Sequence, residues 1–136
     1  MRDWHVLLGA LSVAGLIDSV YLLSDVFFPT VGLICPTIGI VNCGEVTSTP
    51  FSRVFGVPVA LLATLWFAVF LIFAIRRTGF PEYLLLPLWI VGVVFAIYLI
   101  GVEVLVIHAI CPFCTVAHAL GVAMGVPVVK LAMPAT

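Results

Sequence analysis

Charged residues are scarce in this chain. Its 136 residues include five Lys or Arg and six Asp or Glu, 8% in all, whereas charged residues make up about 25% of an average soluble domain. Hydrophobic residues make up 65% of the chain, which is more apolar surface than one small soluble domain can bury. The sequence also lacks any run of basic residues, so it gives no sign of a nucleic-acid partner. We therefore predict an integral membrane protein whose surroundings are the lipid bilayer.

Charges divide the chain into segments long enough to cross a membrane. A bilayer core of about 30 Å requires about 20 apolar residues in a helix. Three charge-free runs have this length, 54–75, 83–102 and 104–129. A first apolar segment contains Asp18 and Asp25 and would make a fourth span. We predict an all-α fold, one four-transmembrane-helix bundle over residues 1–136, with spans at about 4–26, 57–76, 83–106 and 112–131.

The first segment has an alternative interpretation as a cleaved signal peptide. Residues 12–14, Ser-Val-Ala, resemble a small-x-small cleavage site. Only the short apolar run 6–11 would precede that site, whereas a signal peptide needs an apolar region of about 7–15 residues. We therefore expect the segment to be retained as a membrane helix.

The few basic residues predict the orientation of the bundle. With four spans, both termini lie on one side of the membrane, together with the turn between the second and third helices. That side holds Arg2, Arg76, Arg77 and Lys130, and the other side holds Arg53. Cytoplasmic loops are enriched in Lys and Arg. We expect a multi-pass protein of the cell membrane with cytoplasmic termini and with all its cysteines on the outer, oxidising side.

A long outer loop, residues 27–56, joins the first two helices. A loop of this length is usually functional, and this one is largely apolar and interrupted by glycines. Thr49 and Pro50 are typical of a helix start, and Gly56 is a plausible end. We predict a half-helix there, resting on the bundle before the second span begins.

Asp18 lies within the first predicted span, where a carboxylate is costly. It is seven residues from Asp25, so one helix face carries both carboxylates. We expect this face to line a cavity at the outer end of the bundle. The alternative is that Asp18 only reaches toward the interface or packs against a polar neighbour.

Four cysteines occur, Cys35 and Cys43 in the outer loop and Cys111 and Cys114 at the predicted start of the fourth helix. Two cysteines three positions apart on a helix lie on one face. A helix N-terminus stabilises a thiolate. Pro112 fits the first turn because that turn donates no hydrogen bond within the helix. His118 follows Cys114 by four residues and shares its face, where it would either donate a hydrogen bond to a ligand or simply pack.

Three interpretations of the cysteines compete. The first interpretation is two structural disulfides, although a bridge within Cys-x-x-Cys closes too small a loop to stabilise the fold much. A four-cysteine metal site is another, but seven residues separate Cys35 from Cys43, whereas paired zinc ligands are usually separated by 2–4 residues. The third, which we favour, is a relay with no metal. A mobile loop pair exchanges with an outside protein, and a helix pair faces a lipid-soluble two-electron acceptor such as a quinone.

These motifs resemble the vitamin K epoxide reductase family in its prokaryotic, quinone-reducing form. The resemblance covers nearly the whole chain. It rests on Cys35 and Cys43 with seven residues between them, on the segment Thr-Ser-Thr-Pro-Phe-Ser-Arg-Val-Phe-Gly-Val-Pro at 47–58, and on Cys111-Pro-Phe-Cys114.

The resemblance implies a four-helix bundle around a quinone pocket. It implies that Cys111 and Cys114 form the active-site pair, with Cys114 nearest the quinone, and that Cys35 and Cys43 shuttle electrons from a thioredoxin-like partner. It also assigns supporting roles to Thr49, Ser52 and His118, the last two at positions that reach the quinone carbonyl groups. Mammalian relatives carry Asn and Tyr at those two positions, and this departure favours a simple quinone over the epoxide.

The predicted function is therefore a membrane thiol oxidoreductase that reduces menaquinone or ubiquinone and drives disulfide formation outside the cytoplasm. Many prokaryotic relatives carry a fused thioredoxin-like domain after the bundle. This chain has six residues after Lys130, so we expect a separate thioredoxin-like partner. The alternative is a non-catalytic four-helix membrane subunit with structural disulfides.

Overall fold

The computed structural model describes residues 2–27, 53–54, 56–76, 81–108 and 112–132. Within these ranges, four helical segments are long and apolar enough to cross a membrane. They are Asp3–Ser24, Val59–Arg76, Glu82–Val106 and Pro112–Ala132. The prediction of an all-α, four-helix membrane fold is confirmed by these four spans.

A small hairpin directly precedes the second helix. Helix α1 spans Arg2–Phe27 and α2 spans Val59–Arg76. Just before α2, strand β1 (Arg53–Val54) pairs antiparallel with strand β2 (Val57–Pro58).

The prediction of a half-helix ending at Gly56 is wrong for residues 53–54, which form a strand. The earlier residues of the predicted half-helix lie outside the described ranges. Gly56 has φ +82°, a left-handed conformation that glycine adopts without strain. This conformation reverses the chain, so that residues 53–54 pair with 57–58 instead of continuing a helix.

The third span combines three kinds of helical turn. A 3-10 turn, Glu82–Leu84, leads into α3, Leu85–Gly101. A wider π turn follows at Val102–Ile107 and ends at His108, whose φ is 59°. This left-handed residue ends the span, as expected for a chain that turns back toward the fourth helix.

The fourth span is interrupted once. Helix α4 spans Pro112–Ala123 and α5 spans Gly125–Ala132. Pro127 has no N–H to donate to the carbonyl of Ala123, four residues earlier, so the regular ladder breaks there. The amide of Met124 still donates to Leu120 at 3.0 Å, and that of Val128 to Met124 at 3.0 Å, so the two helices follow one another as a single span.

The bundle has two distinct ends. At one end, which we call the basic end, α1 begins at Arg2, α2 ends at Arg76, and Lys130 lies 6.0 Å from the ring of Trp4. The opposite end, where α4 begins and carries Cys114, we call the cysteine end. The main buried cluster lies mostly toward the basic end. Its members are Leu8, Phe67, Phe70, Phe73, Ala74, Leu85, Met124, Val128 and Leu131.

Candidate redox site

Cys114 lies on the first turn of α4, at the cysteine end of the bundle. Its side chain is half-buried. The helix begins at Pro112, which supplies a fixed φ and lacks the N–H that a first turn cannot use. The unpaired N–H groups and the dipole of a helix N-terminus favour negative charge. The position therefore suits a cysteine that must react as a thiolate.

His118 lies one turn deeper on the same face of α4. It is half-buried, and its Nδ1 atom is shielded from solvent without a hydrogen-bond partner among the described residues. A buried polar atom without a partner is costly. The imidazole is therefore placed to bind a polar group of a ligand or a water molecule beneath Cys114.

Helix α1 runs antiparallel to α4 in a register that two contacts fix. The ring of Tyr21 lies 5.1 Å from that of Phe113, centroid to centroid, and Trp4 faces Lys130 at the other end. Residues before Tyr21 in α1 therefore lie at the same depth in the bundle as residues after Phe113 in α4. One turn below Tyr21, Asp18 lies at the level of the turn that joins Cys114 to His118.

Asp18 and Ser19 bring further polar atoms to this level. Asp18 is half-buried and Ser19 is fully buried. Neither the Oδ2 atom of Asp18 nor the Oγ atom of Ser19 has a hydrogen-bond partner in the part of the chain that the structure describes. Ser12, one heptad below on the same face and equally buried, instead donates to the carbonyl of Leu8 at 2.7 Å. Helix α1 therefore brings two polar atoms without a described partner, Asp18 Oδ2 and Ser19 Oγ, to the level of Cys114 and His118.

The ring of Trp66 lies below the level of Asp18, Ser19 and His118, which we call the polar level, and we call this ring its floor. Its Nε1–H donates to the carbonyl of Leu88 at 3.1 Å, which ties α2 to α3. A methyl group on Gly92 would lie 2.5 Å from the indole, and one on Gly121 would lie 3.6 Å from it. The two glycines therefore leave room for the ring between α2, α3 and α4. Because Gly121 is only three residues from His118, the ring lies about one helical turn below the imidazole.

The floor separates two environments. Below it, the Trp66 ring meets the Phe70 ring at a centroid distance of 4.7 Å, and Phe70 is fully buried. Trp89 closes the same region from α3, with its Nε1–H donating to the carbonyl of Gly121 at 2.8 Å. These contacts give both tryptophans a packing role. Trp66 nevertheless packs at the boundary of the polar level.

Glu103 is a feature that sequence reasoning did not single out. It is only 5% exposed although it lies within a membrane span. It belongs to the π turn, and such turns occur frequently at functional sites. The available signal was its position, because an acidic residue interrupting a long apolar run is a functional candidate. What the sequence did not reveal is the π turn that carries it.

Of the predicted site residues, the described part of the chain contains Cys114 and His118. It brings them together on one face of α4, as their spacing predicted. The remaining ones lie outside the described residues, and their roles stay predictions. They are Cys35, Cys43, Thr49, Ser52 and Cys111.

The described geometry is that of a membrane protein with a reactive cysteine position in a helical bundle. A four-helix membrane bundle presents a cysteine at a helix N-terminus, above an imidazole and the partly buried ring of Trp66. Comparison with known families then gives one match: the model of the vitamin K epoxide reductase family covers residues 6–129. The chain belongs to this family and is a multi-pass membrane oxidoreductase. A search of curated proteins finds no match.

Proposed function

We propose that this protein is a membrane thiol oxidase that transfers electrons from a secreted, thioredoxin-like protein to a quinone. The observation that carries the proposal is the placement of Cys114 on the first turn of α4, with His118 one turn below it. A structural cysteine has no need of a helix N-terminus. A redox cysteine does, because the thiolate is the reacting form.

The chemistry balances as a two-electron transfer. A reduced partner gives two electrons to the loop pair, Cys35 and Cys43, through a mixed disulfide. The loop pair in turn reduces the disulfide between Cys111 and Cys114. When that helix pair forms its disulfide again, one S–S bond is made, and two electrons and two protons leave the sulfur atoms. The quinone accepts both electrons and two protons and becomes a quinol.

The described residues fit a quinone next to Cys114. A quinone carbonyl needs a hydrogen-bond donor, and the buried Nδ1 of His118 has no partner among the described residues. A planar ring needs an apolar or aromatic surface, and Trp66 supplies one at the base of the polar level. By family resemblance, Ser52 would reach the second carbonyl and Thr49 would support the loop. Quinone-type electron carriers are usual in this family, which supports a quinone as the acceptor.

The proposed orientation places the cysteine end on the outer side of the membrane. Arg2, Arg76 and Lys130 lie at the opposite end of the bundle, and the positive-inside rule assigns that end to the cytoplasm. The cysteines would then meet their partner on the oxidising side of the cell membrane, where disulfides persist.

The relay can be tested by giving the purified protein two different electron donors. Quinone absorbance is followed in detergent with menaquinone or ubiquinone as the acceptor. The donor is either a reduced thioredoxin-like protein or a small dithiol. We expect the native chain to oxidise both donors. The double variant Cys35→Ala/Cys43→Ala should oxidise the small dithiol and lose the protein donor.

A different result would favour the structural alternative. If the native chain reduces neither quinone with either donor, and its cysteines resist mild reductant, they form structural disulfides. The proposed function would then be wrong.

A further inference from the structure

Asp18 is an acidic residue within a membrane-spanning helix, and the proposed relay as described so far does not use it. Acidic residues in such positions are costly and usually mark a pathway for ions or protons. Two contacts on its own helix fix the direction in which it lies. Gly15, one turn below, is in close contact with the Phe67 ring of α2. Tyr21, one turn above, faces Phe113 of α4. Asp18 therefore lies on the face of α1 that is directed between α2 and α4.

The level of Asp18 along the bundle is that of the candidate redox site. The facing pair of Tyr21 and Phe113 lies next to Cys114 in the chain, and Asp18 is one turn inward from it. Three shielded polar atoms without partners among the described residues occur at this level: Asp18 Oδ2, Ser19 Oγ and His118 Nδ1. Ser19 is completely buried. Three such atoms at one level of a membrane bundle need polar partners, which water or the polar part of a ligand would supply.

The proposed reaction requires proton transfer at this depth. Oxidation of the helix pair releases two protons, and formation of a quinol consumes two. Protons cannot cross apolar packing without polar groups to carry them. Asp18 is the one carboxylate of α1 within this level, and it is separated from the aqueous interface by the last turns of the helix.

We propose that Asp18 is the proton-transfer residue of the thiol oxidase, an inference that rests on the proposed function. The carboxylate accepts one of the two protons released when the Cys111 and Cys114 thiols form their disulfide. It then gives this proton to a quinone oxygen through the polar level that it shares with His118. The other proton is lost to water, and water supplies the second proton of the quinol. Asp18 acts through water or the imidazole, so it is a positioning and proton-relay residue and does not form a covalent bond.

Few other described groups at this level titrate. Helix α2 has no titratable side chain between Val59 and Ile75. Helix α4 contributes Cys114 and His118, and α1 itself contributes Tyr21. The charged Lys130 lies at the basic end. Glu103, buried in the π turn, is a further acid toward the same end of the bundle. A change in pH dependence on replacing Asp18 would therefore concern Cys114, His118, Tyr21 and Glu103 among the described groups.

The test compares Asp18→Asn with Asp18→Glu and with Asp3→Asn, in the full chain reconstituted with a short-chain ubiquinone. Asp18→Asn keeps the shape and removes the exchangeable proton, whereas Asp3 is an exposed acid at the basic end. We expect Asp18→Asn to slow quinol formation by on the order of 100-fold and to change its pH profile. Asp18→Glu should restore most of the rate, and formate added to Asp18→Asn should restore part of it. Asp3→Asn should match the native chain.

Two further measurements separate this inference from the proposed function. Exchange between the reduced partner and the loop pair, followed by thiol labelling without quinone, should be unchanged in Asp18→Asn. The infrared difference spectrum between oxidised and reduced protein should contain a carboxyl band that Asp18→Asn lacks. A native rate, pH profile and carboxyl band in Asp18→Asn would overturn the inference and leave the thiol oxidase intact. Failure of the native chain to reduce ubiquinone would overturn both.

Discussion

Most fully buried side chains toward the basic end are aromatic or aliphatic, whereas toward the cysteine end the buried groups include the hydroxyl of Ser19 and the carboxyl group of Glu103. Phe70 and Leu131 are fully buried at the first end. Ser19 is equally buried toward the second, without a hydrogen-bond partner among the described residues. Ser12 and Ser19 make the contrast within one helix, because only Ser12 has its hydroxyl satisfied by its own helix.

The difference shows how one small bundle divides its tasks. Dispersion and close packing hold helices together in a membrane, because lipid is as apolar as the side chains themselves. The basic end supplies this packing. The cysteine end can then keep polar atoms for a substrate, at a cost in stability that the other end offsets. Trp66 lies between the two, and variants on either side of it should separate stability from activity.

Replacing Cys114 should have the largest effect and should be confined to activity. We expect Cys114→Ala to lower quinone reduction by at least about a thousandfold, because the covalent step has no other nucleophile at that position. Quinone absorbance measures the rate, and thermal unfolding in detergent should show an unchanged midpoint. Val116→Ala, an exposed neighbour on α4, is the control and should keep the native rate. A residual rate in Cys114→Ala near the native value would contradict the assignment of this cysteine.

Truncating Phe70 should have the next largest effect and should be confined to stability. Phe70 is fully buried and contacts Trp66, whereas its neighbour Val69 is 40% exposed on the outer surface of the bundle. Phe70→Ala should cost on the order of 2 kcal/mol through the cavity it leaves, and Val69→Ala should cost much less. Unfolding in a denaturing detergent would measure both. Loss of catalytic rate in the fraction of Phe70→Ala that remains folded would break the proposed division between the two ends.

The buried His5 and the half-buried His118 provide a pair for the third prediction. His118 lies at the cysteine end, and His5 stacks on Phe73 at the basic end with ring centroids 5.8 Å apart. His118→Phe should raise the KM for quinone about fivefold, the equivalent of a hydrogen bond worth about 1 kcal/mol. His5→Phe should leave KM unchanged. Equal KM values for both variants would mean that His118 only packs.

The smallest predicted effect concerns the hairpin before α2. Gly56 has φ +82°, and a methyl group there would meet no atom of the described residues within 4 Å. Gly56→Ala should therefore cost only the backbone strain, about 1 kcal/mol. Gly101 is also open to a methyl group but lies in α3, so Gly101→Ala should be neutral or stabilising by up to about 1 kcal/mol. A stabilising Gly56→Ala in thermal unfolding would contradict the left-handed turn.

The sequence predicted the spans well because their physical cause is one-dimensional. A charge-free run of sufficient length must cross the bilayer, wherever its neighbours lie. The spacing of Cys114 and His118 was predictable for a similar reason, since residues four apart share a helix face.

The sequence did not predict several other features. The π turn around Glu103 and the left-handed His108 form the end of the third span. The slot for Trp66 depends on Gly92 and Gly121, which belong to different helices. The strand at residues 53–54 replaced a predicted helix because the turn at Gly56 pairs them with the residues after it. Only the slot for Trp66 is a contact between distant segments, whereas at residues 53–54 the local turn at Gly56 outweighed the helix-start pattern.

Counting thiols during stepwise oxidation tests the central claim most directly. Fully reduced protein, with its four cysteines, is mixed with quinone in the absence of oxygen, and the remaining thiols are labelled and counted by mass spectrometry. The relay predicts a fall from four thiols to two after one equivalent of quinone and to none after two, because each quinone accepts two electrons. Cys114→Ala should retain its three remaining thiols. A native chain that keeps all four thiols in the presence of excess quinone would contradict the account.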